Sequence, residues 1–102
     1  MTRGEIWFAE VGRKRRPVLV LTRSEVIDVR SLVTVAEITT SIRRIGAEVD
    51  FDHEAAGLDR PSVINCDCLH TITRASLRTH VGSVSDGTME RVCASLGYAL
   101  GC

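Results

Sequence analysis

The chain has 102 residues, 44% hydrophobic and 25% charged, and its thirteen basic side chains balance thirteen acidic ones to a formal net charge of zero. That length allows one domain, spanning 1–102, near the size at which small chains lean on a second copy, and the composition excludes disorder. No apolar run approaches the ~18 residues of a membrane span, the opening MTRGEIWFAE lacks a signal-peptide core, and the cysteines at 66, 68, 93 and 102 lack disulfide-framework spacing, so a cytoplasmic protein with reduced thiols is expected.

The segments GEIWFAEV and PVLVLT read as two strands of a hairpin, joined by a charged turn that holds Arg13, Lys14, Arg15 and Arg16. PVLVLT has no polar alternation, which predicts a strand covered on both faces over Val18 to Leu21. SEVID predicts a brief helical turn, SLVTVAEIT a third strand, and AEVDFD a half-exposed strand. Gly57 and Pro61 bracket a turn before SVINCDCLHTI, an extended segment or two strands with a bend, and THVGSV follows as another strand. The period then changes. Met89, Val92, Cys93, Leu96 and Leu100 define the apolar face of a helix, with Ser85 as N-cap and Gly101 as its end. The sum is a mainly β fold: a small, partly closed antiparallel barrel with one C-terminal helix, its aromatic side chains mostly in the core.

Charge is distributed unevenly. Residues 1–44 carry nine basic and five acidic side chains, residues 45–67 one basic and six acidic, and twelve of the thirteen cations are Arg. The planar fork of Arg suits phosphate. Arg16 precedes Pro17, which restricts it to extended backbone and fixes it where the turn meets the strand. It is therefore a candidate phosphate clamp, whereas Arg13 and Lys14 also fit a solvated hairpin tip. ITTSIRR places Thr39, Thr40 and Ser41 beside Arg43 and Arg44, donors suited to a nucleic-acid backbone or simply to a turn.

In an extended NCDCLH, Cys66, Cys68 and His70 share one face, and Asn65, Asp67 and Leu69 the other. A closed zinc site needs four ligands, and the spacing here does not supply them, so no metal is expected and Cys66 reads as a core residue. Asp67 is either a general base or a solvated carboxylate.

These residues in sequence resemble the MazF/PemK ribonuclease toxins of bacterial toxin-antitoxin pairs. RGEIWFAEV, RRPVLVLTR, VAEITTSIR, PSVINCDCLHTI and the closing LRTHVGSVSDGTMERVCASLGYALG all fall in that family's order, across nearly the whole chain. The resemblance implies an SH3-like plug barrel that forms a homodimer, needs no cofactor, and cuts single-stranded RNA using the RNA's own 2′-hydroxyl. Products would be a 2′,3′-cyclic phosphate and a 5′-hydroxyl. It also implies an antitoxin whose disordered tail occupies the RNA groove. By the same resemblance Arg16 is the catalytic Arg before Pro, Thr39 contacts the scissile phosphate, and Asp67 is a general base. RNA contacts are implied for Lys14, Arg15, Thr40, Arg43, Asn65, Cys68 and His70. Three features depart from the family: Cys68 replaces a Gln or Asn, Asn65 replaces an Arg in one branch, and the GRKRR loop is short. Two other readings stay open, a gyrase poison of the CcdB type and an RNA-binding relative with eroded chemistry. The first relies on a Trp-Gly-Ile tail, where this chain ends YALGC.

Overall fold

The computed structural model describes residues 1–102. Six strands are present, β1 (Glu5–Val11), β2 (Lys14–Val20), β3 (Leu32–Thr39), β4 (Glu48–Asp50), β5 (Val63–Thr73) and β6 (Leu77–Ser83). A one-turn helix α1 (Ser24–Ile27) follows β2, and the 15-residue α2 (Asp86–Leu100) closes the chain. The strands form one antiparallel sheet in the order β4-β5-β3-β2-β1-β6.

β1 and β2 are joined by Gly12 and Arg13 alone, with φ of 58° and 72°, and Val11 pairs with Lys14. Positive φ at both central residues is the mark of a type I′ turn, whose twist matches that of the strands it connects. The basic cluster is consequently not a turn, as the sequence suggested. Lys14, Arg15 and Arg16 lie within β2, and alternation sends neighbours to opposite faces. Arg15 lies 4.6 Å over the Phe8 ring and donates to Thr79 Oγ1 at 3.3 Å, while Arg16 points to the other face.

The continuous apolar run of β2 is buried on both sides. Leu19 joins Ile6, Ala36, Ile38, Ile64, Cys66 and Val92 in the core under α2, and Val18 and Val20 join Ala9, Val11, Ile27, Val33 and Val35 in the core on the opposite face. Each such side chain, fully removed from water, contributes about 1.5–3 kcal/mol.

The barrel is not sealed by strand pairing, because β4 and β6 remain the two edges. The chain after β4 closes the gap by direct approach. A Cβ on Gly82 would stand 2.1 Å from the Ala56 carbonyl oxygen, and one on Gly57, where φ is +90°, would stand 2.6 Å from that of Val81.

α2 begins as expected, with the Ser85 side chain accepting from the Thr88 N–H at 3.1 Å, and ends at Gly101 in the left-handed region. Its apolar face matches the expected one in part: Val92 is buried and Met89 and Leu96 pack against the same core, whereas Cys93 and Leu100 are exposed and Thr88 and Ser95 are buried instead. Ser95 tolerates burial because its hydroxyl donates to the Gly46 carbonyl at 2.7 Å. The aromatics also depart from expectation. None is fully buried, Trp7 stacks on His80 with ring centroids 5.0 Å apart, and Tyr98 is 70% exposed.

Candidate active site

β5 is a single long strand, but it does not alternate strictly. Ala36 of β3 faces Leu69, while its neighbour Glu37 faces Asn65, so Cys66, Asp67 and Cys68 bulge out of the ladder. The Asn65 side chain holds the bulge: Oδ1 accepts from the Asp67 N–H at 3.0 Å, and Nδ2 donates to Cys68 Sγ at 3.4 Å. The shared face expected for Cys66, Cys68 and His70 therefore does not form. Cys66 and Asn65 are both buried, and burial pushes the Cys66 thiol above its ordinary pKa. It is a core residue, as its sequence context suggested.

Above the bulge, three strands bring three charged or titratable side chains together. Glu37 of β3 lies between Arg16 of β2 and His70 of β5. Arg16 Nη1 forms an ion pair with Glu37 Oε1 at 3.0 Å, and Glu37 Oε2 lies 2.6 Å from His70 Nε2. The carboxylate is the most enclosed, with 17% of its side chain exposed against 32% for Arg16 and 33% for His70. An anchored cation one-third open to solvent can receive an anion without first being ordered. Glu37 escaped the sequence reading. In VAEIT it passes for the outward residue of a half-exposed strand, and only the pairing of β3 with both β2 and β5 reveals its partners.

Thr39, on the same face of β3 as Glu37, is half-buried, and its hydroxyl accepts the Ser41 N–H at 3.1 Å. Lys14 and Arg16 share a face of β2, and Lys14 is exposed. Thr40 is exposed beyond β3. Arg43 is drawn away to a carboxylate of its own: its N–H and that of Arg44 donate to Glu48 Oε1 at 2.8 and 2.9 Å, and its guanidinium reaches Oε2 at 3.4 Å. Burial alone would raise the pKa of Glu48, but these three bonds together outweigh it and hold Glu48 below the usual carboxylate value. Asp67 is exposed on the bulge, and no hydrogen bond joins its carboxylate to Arg16. No three His, Cys, Asp or Glu side chains converge on a common point.

The fold, a small antiparallel barrel with one covering helix, is one the comparisons find in a class of small toxins. A family model described as PemK-like, MazF-like toxin of type II toxin-antitoxin system matches residues 2–100, and the chain belongs to that family. Among curated relatives it is similar to the probable endoribonuclease MazF2 of Mycobacterium tuberculosis, 33% identical over the full length of both chains. It is 38% identical over 86 residues to the endoribonuclease MazF3 of the same species, covering 84% of this chain and 82% of that one. Among solved structures, Mycobacterium tuberculosis toxin MazF-mt6 superposes with a TM-score of 0.89 at 35% identity, over 95% of this chain and 96% of that one. Nothing in these comparisons supports a gyrase poison. No helix is long and apolar enough to cross a membrane.

Proposed function

We propose that this endoribonuclease toxin cuts single-stranded RNA on the sheet face that carries Arg16. The observation that carries the reading is the guanidinium itself, fixed by Pro17 and by Glu37 yet one-third open to solvent. One of its five N–H donors meets Glu37. The others are available to the oxygens of a phosphate as it becomes a dianionic phosphorane, the kind of charge development that a prepositioned cation stabilises most. The RNA's 2′-hydroxyl attacks its own phosphate, leaving a 2′,3′-cyclic phosphate and a 5′-hydroxyl. That reaction needs neither metal nor cofactor.

Thr39, half-buried on the same face, contacts the scissile phosphate, and Lys14 and Thr40 guide the flanking backbone, whereas Arg15, over Phe8 on the opposite face, and Arg43, paired with Glu48, do not take part. Cys68 and His70 border the reacting nucleotides from β5, over the bulge that buried Asn65 holds. For the proton on the 2′-hydroxyl, Asp67 is the acceptor that the family resemblance suggests. The toxin acts in the cytoplasm as a homodimer, and a cognate antitoxin neutralises it by laying a disordered tail in the RNA groove. Membership of a type II toxin-antitoxin family supports that partner.

The test is incubation of the purified protein and its Arg16→Ala variant with long single-stranded RNA in EDTA, with product ends mapped by sequencing. Discrete cuts bearing 5′-hydroxyls are expected from the native chain. A folded Arg16→Ala variant should lose at least about 100-fold in rate, the usual effect of removing one donor from a developing oxyanion. A folded variant that cuts normally removes Arg16 from the mechanism.

A further inference from the structure

The family resemblance assigns the proton acceptor to Asp67, but the geometry points to a different group. We propose that His70 is a catalytic residue, the general base of the cleavage, and that Glu37 is the positioning residue that fixes both His70 and Arg16. The inference rests on the endoribonuclease reading above and names the proton acceptor for that site.

No other carboxylate in the molecule bridges a cation and an imidazole. His53 and Glu54 are 3.9 Å apart, with Glu54 84% exposed, and Asp28 and Arg74 are also 3.9 Å apart, with Asp28 90% exposed. Glu37, by contrast, makes contacts of 3.0 and 2.6 Å and is largely enclosed. An ionised carboxylate has only acceptors, so a proton must lie on His70 Nε2 for the 2.6 Å contact to exist. That fixes the tautomer. The basic lone pair of neutral His70 is then on Nδ1, which hydrogen-bonds to no protein group. A histidine oriented at one nitrogen by a carboxylate and free at the other is the arrangement of a general base. Arg16 is held by the other oxygen of the same carboxylate, so Glu37 sets the distance between the base and the phosphate-binding cation.

The step balances as follows. His70 Nδ1 takes the 2′-hydroxyl proton while the 2′-oxygen forms its bond to phosphorus. The bond from phosphorus to the 5′-oxygen breaks, and that oxygen takes a proton from water. The imidazolium, stabilised by Glu37, returns its proton to the hydroxide left behind. Asp67 cannot share this geometry through the protein, because its place on the bulge gives its carboxylate no bond to the cluster. The charged groups in contact with the ring are Glu37 from β3 and, through Glu37, Arg16 from β2.

The test measures cleavage at mapped sites in a long single-stranded RNA, in EDTA, across pH, for the native chain and for His70→Ala, Glu37→Gln and Asp67→Asn. Folding is checked by circular dichroism. Expected for His70→Ala is a loss of about 100- to 10,000-fold in kcat, loss of the acid limb of the pH profile, and partial rescue by added imidazole. Glu37→Gln should lower kcat with KM within a few-fold of native, because the amide no longer fixes His70 and Arg16 together. A merely structural role for Glu37 would lower the folded fraction and leave kcat per folded molecule unchanged. Asp67→Asn should keep the limb. If His70→Ala cuts within about threefold of the native rate with the limb intact while Arg16→Ala is inactive, the proposal is overturned and the nuclease reading stands. Should the native chain not cut RNA at all, both fall. If Glu37→Gln does not fold, imidazole rescue of His70→Ala decides the question alone.

Discussion

The bulge in β5 depends on one side chain, and removing it tests whether local geometry there reaches the chemistry. Asn65→Ala deletes the acceptor of the Asp67 N–H and the donor to Cys68 Sγ at a position that is 5% exposed. The first bond contributes roughly 0.5–1.5 kcal/mol, and the longer bond to sulfur contributes less. Asp67 is exposed, so water can take over its N–H and the full penalty of an orphaned donor does not apply. The sum is about 1–2 kcal/mol, or a fall in Tm of about 5–15 °C for a domain of this size. Urea unfolding measures that directly. Cleavage should suffer more than stability. The three bulged residues offset His70 from Asn65 in the ladder, and a displacement of about 1 Å at a reacting group costs on the order of 100-fold. Asn65→Asp separates the two effects. It keeps an acceptor for the Asp67 N–H but puts a carboxylate opposite Glu37, so its cost should rise as pH rises through carboxylate ionisation. If Asn65→Ala unfolds within about 0.3 kcal/mol of the native chain and cuts RNA at the native rate, Asn65 does not hold the bulge and the bulge does not set the site.

Gly82→Ala should lower stability by about 1–3 kcal/mol or more, because the added Cβ meets the Ala56 backbone oxygen at 2.1 Å and backbone cannot rotate aside. Gly87→Ala is the control: its Cβ meets nothing closer than 3.9 Å, and in the first turn of α2 it should be neutral or raise Tm. Thermal melts of both variants check the contrast. Acid should weaken the fold through Glu48, whose pKa is lower folded than unfolded. Its contribution is fully present above the ordinary value of 4.5 and is lost as pH falls through the lowered folded value. Tm against pH should therefore drop less steeply in Glu48→Gln, and parallel curves would show that the Arg43–Glu48 clamp adds nothing.

What was legible in the sequence was whatever a local pattern carries. β2 announced itself by an unbroken apolar run, and its burial on both faces follows from that alone. α2 announced its ends through Ser85 and Gly101 and, through Met89, Val92 and Leu96, the middle of its face, but not the edges, because periodicity ranks Cys93 and Leu100 above Thr88 and Ser95, and only the Gly46 carbonyl makes Ser95 a buried residue. The hairpin turn was misread for a related reason. RKRR looks like a loop by composition, yet a two-residue turn at Gly12 and Arg13 needs none of the next three residues. The candidate site divides in the same way. Arg16 was visible because Pro17 constrains it within the same dipeptide. Glu37 was invisible because its two partners lie 21 and 33 residues away in sequence, on strands whose register is set by a bulge that NCDC does not advertise.

A neutral chain that binds RNA must concentrate positive charge locally, and the way it does so here explains the preference for Arg. Arg3 donates to the Leu21 carbonyl and to Cys93 Sγ, Arg15 lies on Phe8, Arg43 clamps Glu48, Arg74 reaches the Ile27 carbonyl, and Arg16 meets Glu37. Each is part of the fold. A lysine ammonium in any of these places would concentrate its charge at one point with three donors around it. A guanidinium has five donors spread over a rigid plane, so one edge can be fixed by the protein while another faces solvent. In the proposed mechanism Arg16 is where that division matters, with the edge held by Glu37 orienting the edge left for phosphate. The substitution Arg16→Lys should thus fail for a reason different from Arg16→Ala. The charge would remain, and RNA binding with it, but one ammonium cannot stay on Glu37 and follow the phosphate at once, so kcat should fall while KM stays within a few-fold of native. A variant with Lys at that position that cuts at the native rate would show that only the charge of Arg16 is used, and not its plane.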